Sequence, residues 1–83
     1  MASWNIVLEW LKDAGTYAVG REDVGPLGLR VDVLISGATV GVRATHSDRR
    51  EFRTITWSEL EHARSNPLLK LIDETMRAVR AAE

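Results

Sequence analysis

Few residues of this 83-residue chain could do covalent or metal chemistry, and each stands in a spacing that limits it. The only histidines are His46 and His62, and cysteine is absent. Glu59-x-x-His62 has the i, i+3 spacing of half a carboxylate-bridged metal site, which also needs a second copy and further glutamates from other helices. Here there is one copy, at a helix start where glutamate is expected for capping. His46-Ser47-Asp48 has the composition of a triad, but adjacent residues on one turn cannot reach nucleophile–base–orienter geometry, which draws on distant segments. Asp48 and Glu51 share an exposed turn that offers no burial to fit them for acid–base work. Gly20 and Gly25 are spaced like the first two glycines of a phosphate loop. Pro26-Leu27, however, stand where that loop needs Lys-Ser/Thr to hold phosphate and magnesium. With no cysteine there is no disulfide framework, thiolate zinc site or thiol nucleophile. The chain reads as a non-enzymatic protein with no cofactor and no metal.

What remains is surface, and residues 29–57 organise it. Leu29, Val31, Val33 and Ile35 alternate with Arg30, Asp32, Leu34 and Ser36, the period-2 signature of a strand with one buried face. A two-residue loop at Ser36-Gly37, with glycine at positive φ, predicts Ile35 opposite Ala38, Val33 opposite Val40, Val31 opposite Val42 and Leu29 opposite Ala44. A slip of one residue would turn the whole apolar set outward. A second turn at Ser47–Arg50 predicts Ile55 beside Val42 and Trp57 beside Val40. The opposite face then carries Arg30, Asp32, Leu34, Thr39, Gly41, Arg43, Thr45, Phe52, Thr54 and Thr56. Leu34 and Phe52 are the apolar residues among them, and Arg49, Arg50 and Arg53 cluster at the adjoining turn. Arg30, Leu34, Arg43, Arg49, Arg50, Phe52 and Arg53 are the candidate partner-binding residues, since arginine and aromatics are what interface hot spots favour.

The flanking segments supply the second layer. Trp4, Val7, Leu8 and Leu11 form an apolar stripe behind an N-cap at Ser3, and Gly15 stands where a helix would end. Thr16–Arg21 reads as a short first strand with Tyr17 and Val19 inward, followed by a turn-rich loop over residues 22–28. Ser58 and Glu61 read as a capping box, and Asn66-Pro67 ends that helix and starts another. The last helix has an apolar stripe of Leu69, Ile72, Met76 and Val79 and an Asp73–Arg77 pair, and frays at Ala81-Ala82-Glu83. The expected fold is a single α+β domain over residues 1–83, α-β-β-β-β-α-α. It has two layers: a three- to four-stranded antiparallel sheet with the N-terminal helix and C-terminal helices packed on one face. Its expected core is Trp4, Leu8, Leu11, Val31, Val33, Val40, Val42, Ile55, Trp57, Ile72 and Met76.

Composition bounds the partners. A 45% hydrophobic, 28% charged chain is that of a folded domain with room for one small core. No run approaches a membrane span, and Met-Ala-Ser-Trp-Asn lacks the basic start of a secretion signal. With no cysteine, this suits a reducing cytoplasm. The net charge of −1 gives no overall pull toward nucleic acid, although residues 30–56 carry five arginines against three acids. Nine arginines against two lysines, with abundant alanine, suggest the GC-rich coding of a bacterium or its phage. In size, composition and small mixed-sheet build the chain resembles the small phage-encoded anti-CRISPR proteins, which share no common motif. The chain is expected as a monomer or homodimer with a protein partner, and the resemblance implies a stoichiometric inhibitor that occupies a nuclease or surveillance complex, such as a CRISPR effector or another defence complex. It leaves open whether the helix acids Glu59, Glu61, Asp73 and Glu74 mimic DNA phosphates. The alternative is a nucleic-acid-binding accessory protein that uses the arginine-rich face and stacks a base on Phe52.

Overall fold

A computed structural model describes residues 3–21 and 28–81. The element order is α1 (Trp4–Val19), β1 (Leu29–Ile35), β2 (Thr39–His46), β3 (Arg49–Thr56), α2 (Trp57–His62) and α3 (Leu68–Ala81). The strands form one antiparallel sheet in the order β1-β2-β3. Helix α1 packs on β1 and α3 on β2 and β3, so the helices share one face. This is the two-layer α+β architecture expected, with three strands.

The expected first strand is helix. Thr16–Val19 continues α1 past Gly15, and Gly20 caps it in the right-handed region. Burial overrides local propensity here. Ala14 and Ala18, four residues apart, are fully buried and let the helix approach its neighbours closely, and the Tyr17 hydroxyl reaches α3. Val19, expected inside, is exposed. The buried face of α1 is therefore Val7, Ala14 and Ala18, flanked by half-buried Trp10, Leu11 and Tyr17. Trp4 and Leu8, both expected in the core, are 59% and 44% exposed. Ser3 does cap the helix, its hydroxyl accepting from the Ile6 N–H at 3.3 Å.

The ribbon keeps the expected faces but shifts its pairing by two positions. Val33 lies opposite Val42, Val31 opposite Ala44 and Ile35 opposite Val40. The loop is Gly37-Ala38, closed by the Ser36 N–H to the Thr39 carbonyl at 3.0 Å and a 2.8 Å contact between their hydroxyls. Gly37 does not use the left-handed region. The second loop is Ser47-Asp48, with Ser47 at φ 60°. It puts Ile55 opposite Val40 and Arg53 opposite Val42. A two-residue shift preserves which side chains face inward, so alternation cannot tell the two registers apart. Trp57 helps to fix the observed one: its backbone N–H donates to the Ala38 carbonyl at 3.2 Å and its indole N–H to the Ser36 carbonyl at 3.3 Å. Trp57 is the first residue of α2 rather than a strand residue, and is half-buried.

Helix α2 begins two residues earlier than Ser58 suggests: the Thr56 side chain is the cap, accepting from the Glu59 N–H at 3.1 Å. Asn66 does mark the next helix start, since Oδ1 accepts from the Leu68 N–H at 3.0 Å while Nδ2 donates to the Trp10 carbonyl at 3.1 Å. On α3, Leu68, Ile72, Thr75 and Val79 are buried; Leu69 and Met76 lie at the margin. Thr75 satisfies its hydroxyl on the Leu71 carbonyl at 2.7 Å. Asp73 does not pair with Arg77; it accepts from Tyr17. Residues 22–27, which hold most of the expected loop with Gly25, Pro26 and Leu27, and residues 82–83 of the expected fraying end lie outside the described residues.

Candidate functional site: the open face of the sheet

With every helix on one side, the even-numbered residues of β1 and β3 and the odd-numbered residues of β2 form an open face. Side chains in a strand alternate faces, so the composition of this surface follows from register alone. Leu34 is directly opposite Gly41, Asp32 opposite Arg43 and Arg30 opposite Thr45; across β2, Arg43 is opposite Phe52 and Gly41 opposite Thr54.

Gly41 makes the centre of the face possible. It is buried although it stands on the open side, because the Phe52 ring leans over it: a Cβ placed on Gly41 would stand 2.6 Å from Phe52 Cζ. Phe52 stays 54% exposed, with Leu34 across the same glycine. The ring thus presents its other side outward, held close to the sheet by a missing side chain.

Charges flank this centre. Asp32, half-buried, accepts from Arg30 Nε at 3.2 Å and from Arg43 Nη2 at 3.1 Å, one bond on each carboxylate oxygen. The bridge holds Arg43 beside Phe52 and partly neutralises both arginines. Arg50 lies further along β3 on the same face, opposite Thr45.

The structure brings together Arg30, Leu34, Arg43, Arg50 and Phe52. It separates the other two candidates: Arg49 and Arg53 have the opposite strand parity and lie on the helix side of β3. Arg49 is half-buried, while Arg53 is exposed. The basic turn is thus two surfaces, because neighbours in a strand point apart. Asp32 and Gly41, both expected on this face, are not among the candidate binding residues. For Asp32 the signal is charge: the observed register sets it against Arg43, where the expected one sets Arg30 against Arg43.

The remaining chemistry-bearing residues are scattered. Glu59 and His62 are exposed on α2, and His62 Nδ1 donates to the Ser58 carbonyl at 2.8 Å. Among the described residues no three His, Asp or Glu converge in a metal-binding arrangement, and no helix is long and apolar enough to cross a membrane. A cleft of about 230 Å³ opens between α1 and α3, lined by Tyr17, Arg21, Asp73, Met76, Arg77 and Arg80. Tyr17 donates to Asp73 at 2.9 Å, while Arg21 stacks 4.1 Å above the Tyr17 ring and donates to its hydroxyl at 2.6 Å. The Trp10–Asn66 and Tyr17–Asp73 bonds are seven residues apart on both segments, so α1 and α3 run parallel, and α3 continues past the end of α1. Arg21 follows the C-terminus of α1 and Arg80 stands in the last turn of α3, positions where a cation complements the helix dipole.

No family model, curated protein or solved structure matches this chain.

Proposed function

We propose that the protein is a non-enzymatic binding module whose open sheet face docks a protein partner. The carrying observation is the anatomy of that face: an exposed aromatic seated over Gly41 with Leu34 beside it, bounded by Arg30, Asp32, Arg43 and Arg50. An apolar anchor inside a polar rim is the usual plan of a protein interface. The Asp32 bridges support a protein over nucleic acid, because two of the four rim charges are arginines already paired to a carboxylate. Phosphate binding favours arginines whose charge is unspent.

The resemblance in size and build to anti-CRISPR proteins extends this reading to a stoichiometric inhibitor that occupies the surface of a bacterial defence complex. The test is capture from bacterial lysate on immobilised protein, with and without nuclease. A stoichiometric protein that survives nuclease supports the reading. A catch that disappears with nuclease transfers the face to nucleic acid.

A further inference from the structure

We propose that two copies of this chain pair antiparallel through the free edge of β1, joining their sheets into one of six strands. The two edges of the sheet differ. β3 carries Arg49, Arg50, Glu51 and Arg53, the charged side chains by which exposed edges resist pairing. β1 is apolar at five of its seven positions, contains no proline, and pairs with β2 one to one without a bulge.

Its backbone is also presented for pairing. The Ser36 N–H bonds to Thr39 across the ladder, and hydrogen bonding alternates along an antiparallel strand. Asp32 and Leu34 therefore face β2, while the N–H and C=O groups of Val31 and Val33 point outward. Among the described residues no backbone group takes them.

An apolar strip runs along the same side. Trp10 and Tyr17 form the flank of α1 turned toward α3. Trp4, Leu8 and Leu11 form the other flank, at i, i+4 and i+7, on the helix that packs on β1. Trp4 and Leu8 are exposed, and Ile35 at the end of β1 is 63% exposed. A second copy on this edge covers strand and strip together.

Charge selects the register. Centring the two-fold on Val31 sets Arg30 opposite Asp32 of the second copy, twice by symmetry. Centring it on Asp32 sets two aspartates face to face, and centring it on Val33 sets Asp32 against Leu34. Only the first is complementary, and opposed charges stabilise a cross-strand pair.

Light scattering on the purified chain, across a dilution series of about 1 µM to 1 mM, reads the mass. The expected result is twice 9.3 kDa at the top of the series, with amide exchange at Val31 and Val33 slowed there and fast on dilution. Arg30→Asp should weaken the dimer about tenfold or more. Val33→Pro, which removes an outward N–H and leaves the β1–β2 ladder intact, should abolish it. A monomer mass throughout overturns the proposal. So does a dimer with fast exchange at Val31 and Val33, or one that Arg30→Asp leaves unchanged.

Discussion

Phe52 and Gly41 are a matched pair on adjacent strands: the ring occupies the space that any side chain at position 41 would claim. Gly41→Ala would therefore lift the ring rather than break the strand, since the obstructing atoms are the far end of an exposed side chain. Glycine in a strand interior also costs about 0.5–1 kcal/mol relative to alanine. The variant should unfold in denaturant within about 1 kcal/mol of the parent while losing partner affinity. Large destabilisation would mean that position 41 cannot accept a Cβ even with the ring displaced.

The split of the basic turn predicts a split in function. Arg50→Glu, on the open face, should weaken partner binding; Arg53→Glu, of opposite parity on β3, should leave it unchanged. A titration of each variant with the captured partner reads the difference. Equal losses would mean that the turn binds as one cluster.

Gly15 lies inside α1, and a Cβ there would meet nothing within 4 Å. The position carries the helix penalty of glycine with no packing reason for it. Gly15→Ala should stabilise the fold by about 0.5–1 kcal/mol in chemical denaturation. A loss of stability would place the helix end at Gly15 after all.

Trp57 stacks on Trp4, with ring centroids 5.7 Å apart, and ties α2 to the β1–β2 loop through its indole N–H. Trp57→Ala should cost about 2–3 kcal/mol, less than for a fully buried tryptophan. A double-mutant cycle with Trp4→Ala should give a coupling of about 0.5–1.5 kcal/mol. No coupling would show that the two rings do not stack in solution.

Much of this was legible in the sequence, and the misses have common causes. Alternation from Leu29 to Ile35 fixed the inward face of the sheet, and Ser3 and Asn66 marked helix starts. Alternation is blind to a two-residue shift, so the pairing had to come from charge opposition between Asp32 and Arg43 and from the bonds of Trp57 to the loop. Gly15 and the β-branched Thr16 and Val19 argued locally against helix; Ala14, Ala18 and Tyr17 overrode them through contacts far away in the chain. The site was legible where it depended on face, as with Leu34 and Phe52. It was not legible where it depended on register, as with the pairing of Asp32 and Arg43.

The most direct test of the proposed docking face removes Phe52, its proposed anchor, without touching the core. Purified partner is titrated with the parent chain, with Phe52→Ala and with Glu61→Ala, a control on exposed α2. Truncating the anchor should cost about tenfold or more in affinity, the range of an interface hot spot, with the fold unchanged by circular dichroism and the control binding like the parent. If Phe52→Ala binds as tightly as the parent, the open face is not where the partner docks.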